Sequence, residues 1–161
     1  MEIRRLTTEE WETFRDVRFA ALADAPYAFS SSLAREQAYD EAQWRARMRP
    51  ERGVKVVAVV EGEVVGVAGG WVPEDRGGAV EVYSMWVDPA MRGTGAAALL
   101  CEEVLEWAAE QGHRRIELWV VDGNDRAARL YRRLGFEATD ESQPHTNDPS
   151  LRERLMVRTL G

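Results

Sequence analysis

Apolar positions along the chain recur at two spacings, and the change from one to the other marks out the elements. Glu2 to Leu6 reads as a short first strand. Thr7 opens a helix, with Glu10 three residues on as its capping-box partner. The apolar face runs Trp11, Phe14, Val17 with Arg18, Ala21 and Leu22 at helical spacing. Asp24-Ala25-Pro26 ends it, because proline disfavours helical geometry in the residue before it. Leu33 to Arg49 is a second helical region. Asp40 with Gln43 repeats the capping pattern inside it and marks a break, and Pro50 closes it.

Val54 to Val60 and Val64 to Val72 are β-branched runs joined at Glu61-Gly62-Glu63, a hairpin signal. Ala79 to Val87 is a third run, after the turn-rich Pro73 to Gly78. Gly95 to Gln111 is helical and stops at Gly112, the residue type suited to a left-handed cap. Arg115 to Val121 is a strand, Asn124 caps a helix that ends before Gly135, and Phe136 to Thr139 and Leu151 to Arg158 are two last strands. The polar stretch Asp140 to Ser150 is expected to be a loop long enough to act as a flap. The alternation predicts an α/β fold of the α+β, mixed-sheet kind. Hairpins make the sheet mostly antiparallel, and two strand-helix units place parallel neighbours in its second half.

Composition narrows the setting. The chain has 161 residues, 45% of them apolar, which fits a single domain over residues 1–161 with a sizeable core. No run approaches the ~20 apolar residues that cross a bilayer, and the N-terminal segment has no apolar core of a secretory signal. Cys101 is the one cysteine, so no intrachain disulfide forms. These features lead us to expect a cytoplasmic protein with no membrane partner. The net charge of −7 argues against nucleic acid as a partner and favours cationic ones, such as amines.

The candidate chemistry begins at Val87-Asp88-Pro89-Ala90-Met91-Arg92-Gly93-Thr94-Gly95-Ala96-Ala97. A strand ends, proline stops its ladder, and a small-residue loop enters a helix. Glycines let the backbone approach a ligand and turn its N–H groups inward, and the helix N-terminus adds partial positive charge. Arg92 can add a full charge. Gly93 to Cys101 carries no charged residue, so no carboxylate would repel a bound pyrophosphate. A Walker loop is excluded, since no Gly-Lys-Ser/Thr follows, and the glycine spacing is wrong for a dinucleotide fingerprint.

A second motif follows at Asn124-Asp125-Arg126-Ala127-Ala128-Arg129-Leu130-Tyr131-Arg132-Arg133-Leu134-Gly135-Phe136. Ala127, Leu130, Tyr131 and Leu134 share one helical face. Tyr131 is thereby partly inside, with a hydroxyl that needs a partner. By spacing alone a core tyrosine and a functional one both fit, and Asn124 is explained as a cap.

With both motifs in view, the chain resembles the GNAT N-acetyltransferase superfamily. Arg92, Gly95 and Ala97 match its Arg/Gln-x-x-Gly-x-Gly/Ala loop. Asn124, Ala127, Leu130, Tyr131, Gly135 and Phe136 match its later Asn-x-x-Ala-x-x-Leu-Tyr-x-x-x-Gly-Phe pattern. The resemblance implies a twisted sheet in which two parallel neighbours, here Ala79 to Val87 and Arg115 to Val121, splay apart. It implies acetyl-CoA as cofactor and transfer of its acetyl group to a primary amine of a small molecule. A peptide acceptor and a non-catalytic acyl-CoA sensor are the alternatives, and a homodimer is compatible with it.

In that scheme backbone groups of Met85 and Val87, with Trp86 between them, hold the pantetheine and thioester carbonyl. Arg92, Gly93, Thr94, Gly95, Ala96 and Ala97 hold the pyrophosphate. Asn124 lies beside the pantetheine arm, and Tyr131 gives a proton to the leaving thiolate. An amine must lose a proton as it attacks, and Glu81 is the leading candidate for the base, ahead of Glu117, Tyr83 and Ser84. Tyr27 and Phe29, in the loop after the first helix, and Trp119 are the expected acceptor wall, with Trp44 and Trp71 as further cation-π surfaces. His113 and His145 fit no metal cluster. Cys101 falls mid-helix, which argues against an acetyl-cysteine route.

Overall fold

The computed structural model describes residues 1–26 and 28–161. Alternating side chains of β2 (Gly53–Val60), β3 (Glu63–Trp71) and β4 (Val80–Val87) point to opposite faces of one sheet. β1 (Glu2–Arg5) pairs antiparallel with β2, and β2 and β3 form the expected hairpin through Glu61 and Gly62. β5 (Arg115–Val121) is parallel to β4, whereas β6 (Glu137–Pro144) and β7 (Arg152–Thr159) return antiparallel. The seven strands run in the order β1-β2-β3-β4-β5-β7-β6, and β4–β5 is the parallel pair of the sheet.

Helices cover both faces, because both faces of the central strands are apolar. On one face α4 (Ala96–Glu110) packs Leu100, Cys101, Val104 and Ala108 against Val56, Val80, Val82 and Ile116. On the same side α5 (Asp125–Arg133) adds Leu130 and Tyr131. On the other face α1 (Trp11–Asp24), α2 (Leu33–Gln37) and α3 (Glu41–Ala46) bring Phe14, Leu22 and Trp44 onto Val57, Val67 and Trp86.

The predicted break at Asp40 is real: its side chain accepts the Gln43 N–H at 2.8 Å and Gln43 Oε1 accepts the Asp40 N–H at 2.9 Å, a complete capping box. The start of α1 differs from expectation. Thr7 to Glu10 forms a turn, and Glu10 reaches back to the Thr7 N–H while its carboxylate also pairs with Arg4 at 2.7 Å. Thr7 therefore supplies no side-chain cap to the helix.

The loop expected over Asp140 to Ser150 is shorter than predicted. β6 continues through Ser142, Gln143 and Pro144, paired with Arg154, Glu153 and Arg152 beyond an irregularity after Ala138. The cross-strand partners on β7 override a sequence that carries little strand propensity of its own. The remaining turn is fastened to the loop between α1 and α2, where the Asn147 side-chain amide donates to the carbonyls of Phe29 and Ser31, the latter at 2.8 Å.

One buried ion cluster joins the three helices of the α1 side. Arg18 of α1 makes a two-pronged contact with Glu36 of α2, through Nε at 3.0 Å and through Nη2. Arg47, after α3, reaches the same carboxylate at 3.1 Å. Glu36 is 1% exposed. Burial opposes its ionisation, but the hydrogen bonds and charges of Arg18 and Arg47 outweigh that, and its carboxyl titrates below the usual range.

A carboxyl whose folded pKa is lowered adds stability above its unfolded value of about 4.3 and loses it as pH falls through the folded value. The thermal midpoint is expected to drop on acidification below about pH 5. Glu36→Gln is expected to start lower at neutral pH and to drop less over that range. Calorimetric scans from neutral to acid pH check both outcomes. An acid limb of equal steepness in the variant excludes Glu36 as a contributor.

Candidate active site

The β4–β5 ladder stops almost as soon as it begins. Val80 pairs with Ile116 and Glu81 with Glu117, and beyond that point the strands separate. The cause lies on β4. Between the pairs Tyr83–Gly69 and Trp86–Val67, Ser84 and Met85 together oppose Ala68, an extra residue that makes a β-bulge. Ser84 takes φ 57°, in the left-handed region that costs a non-glycine residue about 1–2 kcal/mol. Its hydroxyl accepts a hydrogen bond from Arg18 Nη1 at 2.6 Å. Helical spacing puts Arg18 on a core-facing stripe but gives no sign of this contact, since neither a bulge nor a buried partner has a one-residue signature.

The gap becomes a cleft of about 780 Å³. Its walls are Met85, Trp86 and Val87 on β4, and Leu118, Trp119, Val120 and Val121 on β5. One end is closed by Arg92, Gly93, Gly95, Ala96 and Ala97, the other side by Asn124, Ala127, Leu130 and Tyr131. The two motifs, some thirty residues apart in sequence, thus meet across one opening.

The loop is shaped locally. Asp88 accepts the Ala90 N–H at 2.9 Å and starts a short 3-10 turn, Pro89–Met91. The Thr94 hydroxyl donates to the Met91 carbonyl at 2.6 Å. Gly93 and Gly95 take φ 83° and 88°, which only glycine adopts without strain. A Cβ built on either would meet no atom within 4 Å, so these glycines serve the turn and leave its concave side open. The first turn of α4 carries no acid. Open space, exposed helix N–H groups and the absence of a carboxylate in that turn fit a diphosphate.

Arg92 differs from the expectation that it lends its full charge to that end. Nη2 donates to Asp24 at 2.6 Å and Nε to the Val87 carbonyl at 3.2 Å. Trp86 Nε1 donates to the same Asp24 oxygen at 3.0 Å. The indole hydrogen bond, partly offset by the cost of burial and reinforced by the hydrogen bond and charge of Arg92, holds the Asp24 carboxyl below its ordinary value.

Tyr131 lies deep in the wall, its ring edge-on to Phe136 at 5.8 Å. Burial pushes its phenol above the ordinary value, so the proton stays on oxygen at neutral pH. Asn124 caps α5 by accepting the Ala127 N–H at 3.2 Å and borders the cleft as well. Burial raises the Cys101 thiol to about 12, which leaves it a protonated core residue on the sheet-facing side of α4.

The candidates for base and acceptor wall separate. Glu81 is half-buried in the last β4–β5 pair, short of the cleft walls, and accepts a hydrogen bond from Trp71 Nε1 at 2.9 Å. Glu117 is buried and held by Arg76 at 2.7 and 3.0 Å and by Arg115 at 3.1 Å. The Arg76 hydrogen bonds, only partly offset by burial, lower its pKa, so as a proton acceptor it is corrected to a structural ion pair. Tyr83 and Ser84 both line the cleft, and the Ser84 hydroxyl is committed to Arg18.

Trp119 lines the cleft and Trp71 is 40% exposed on the Glu81 side, but Trp44 is a core residue, 1% exposed, and offers no surface to an amine. Phe29 is buried beneath the Arg18 guanidinium at 5.0 Å, and the neighbouring Ala28 lines the cleft instead. Tyr27 lies outside the described residues. No group of three or more metal-ligating side chains occurs among the described residues.

Comparison with known proteins places this geometry. Residues 4–136 match the model of the acetyltransferase (GNAT) family. A protein of Archaeoglobus fulgidus named an N-acetyltransferase is 33% identical over 138 residues, covering 81% of this chain and 89% of its own. Another, from Methanocaldococcus jannaschii, is 27% identical over 139 residues, 84% of this chain, which spans 60% of that relative's length. The crystal structure of a ribosomal-protein-alanine N-acetyltransferase from Brucella melitensis superposes with a TM-score of 0.78 over 99% of this chain and all of its own. At 22% identity, that likeness establishes the fold. The split sheet, the glycine loop opening α4 and the Tyr131 helix, with a family match over most of the sequence, show that this chain belongs to the GNAT acetyltransferase family.

Proposed function

We propose that the chain is an acetyl-CoA-dependent N-acetyltransferase that moves an acetyl group to a primary amine of a small molecule. One observation carries the reading: the parallel strands part at Glu81–Glu117, and the opening runs from the glycine loop to Tyr131. Such a slot suits a long, thin acyl carrier with a charged head.

Acetyl-CoA, which the family uses, supplies an activated thioester and a thiol leaving group. The amides from Arg92 to Ala97 bind the pyrophosphate end. Met85, Trp86 and Val87 on one wall and Asn124 on the other hold the arm. An N–H of Met85 stabilises negative charge that builds on the acyl oxygen. Tyr131, kept protonated by burial, donates to the sulfur as it leaves. Glu81 takes the amine proton, directly or through a water, with the Trp71 indole fixing its carboxylate. Trp119 and the loop around Ala28 and Phe29 form the acceptor side, with Tyr27 assigned there from its sequence position.

Thiol release measured over polyamines, amino acids, aminoglycosides and peptides tests the reading. Tight acetyl-CoA binding with no release across the whole panel would point instead to an acyl-CoA sensor, and turnover confined to peptides to a protein acetyltransferase. Tyr131→Phe is expected to lower kcat by about 10²–10⁴ with little change in acetyl-CoA affinity, the usual worth of a positioned proton donor. A wild-type rate removes Tyr131 from the proton transfer. Gly95→Asp is expected to weaken acetyl-CoA binding at least tenfold, because a Cβ is strained at φ 88° and a carboxylate opposes the diphosphate. Titration calorimetry reads the change, and unaltered affinity excludes this loop as the phosphate site.

A further inference from the structure

The bulge that opens the cleft is held from behind. Ser84 has a left-handed backbone that its side chain disfavours, so something must keep it there. Arg18 Nη1 meets the Ser84 hydroxyl at 2.6 Å, and the rest of the same guanidinium is fixed by Glu36. Phe29 stacks 5.0 Å from its centre, and Arg47 secures Glu36 from α3. Arg18, Glu36 and Ser84 are all buried, 4%, 1% and 6% exposed. None of them belongs to either sequence motif, and Arg18 and Glu36 lie outside the cleft walls.

We infer that Arg18 is a positioning residue for acyl transfer: clamped by Glu36, its planar fork pins Ser84 and so sets where the backbone of Met85 stands in the cleft. The inference rests on the reading of the Met85 amide as the donor to the acyl oxygen. Planarity is essential to the arrangement. A guanidinium can engage a carboxylate with one edge and a hydroxyl with a remaining N–H at once, whereas a lysine ammonium has no such fixed fork. Only the amides next to the bulge depend on this tether. The glycine loop is built separately on Asp88, Pro89 and Thr94, so the diphosphate end of the cleft stands without it.

The test uses Ser84→Ala, which removes the tether and leaves the Arg18–Glu36–Arg47 cluster in place, with Arg18→Met and the double variant beside it. Acetyl-CoA labelled with ¹³C at the thioester carbonyl is bound without acceptor, and its carbonyl resonance is compared with that in water. Wild type is expected to shift this resonance downfield through hydrogen bonding, and Ser84→Ala to lose most of that shift.

With the best acceptor, kcat of Ser84→Ala is expected to fall about 10²-fold, the effect of a displacement near 1 Å. Coenzyme A affinity is expected to stay within about twofold, since the phosphate contacts are untouched. The double variant is expected to be no slower than the slower single one, because both changes cut the same link. A folded Ser84→Ala protein that keeps kcat and carbonyl shift overturns the inference. So does a loss of coenzyme A affinity that matches the loss of rate, which marks a merely structural role. A wild-type resonance that does not move on binding overturns the Met85 reading itself, and the inference with it.

Discussion

A parallel ladder holds neighbouring strands about 4.8 Å apart and satisfies the backbone groups that face each other. In this protein that constraint is released after Glu81 and Glu117. Past the release, the facing edges of β4 and β5 carry amides and carbonyls that no longer serve each other, in a slot otherwise lined by Val82, Leu118 and Val120. Backbone polar groups in such a place require partners from water or from a ligand that runs along the strand. The amide-bearing arm of coenzyme A is a ligand of that kind. The opening and the unpaired strand edges that line it thus have one origin, the extra residue in β4.

Charge is distributed locally in ways that the net value of −7 conceals. The α1 side sets a buried arginine, Arg18, and a half-buried one, Arg47, on one buried carboxylate, an arrangement costly to desolvate and sensitive to the loss of any member. At the mouth of the cleft, Asp24 draws Arg92 and the Trp86 indole onto one oxygen. This keeps the guanidinium against the Val87 carbonyl, ahead of a helix start that carries no acid of its own. At the opposite end, Arg76 and Arg115 absorb Glu117, while the neighbouring Glu81 accepts from a neutral indole N–H. Two adjacent carboxylates on one face are thereby made chemically different by their partners.

The loops near the α1 face of the cleft come from segments distant in sequence. The turn after β6 reaches across to the α1–α2 loop through Asn147, and the same loop sets Phe29 under Arg18. These loops, the bulge and the ion cluster therefore form one connected unit. The glycine loop is a second unit, joined to the first mainly through Asp24 and Trp86.

The sequence by itself determined the features whose causes are local. The left-handed glycines at 93, 95, 112 and 135, the Asp40 capping box and the Asn124 cap each depend on a few adjacent residues, and each lies where its residue type predicts. The mixed sheet with its helices followed from the spacing of apolar positions for the same reason. Only the tertiary structure decided what depends on partners far along the chain. The extension of β6 through Pro144 rests on β7, the loss of Trp44 as a surface residue on Phe14 and Phe19, and the exclusion of Glu117 as a base on Arg76. Arg18 is the clearest case, because a charged residue on an apolar stripe acquires meaning only when Glu36 and Ser84, 18 and 66 positions away, close around it.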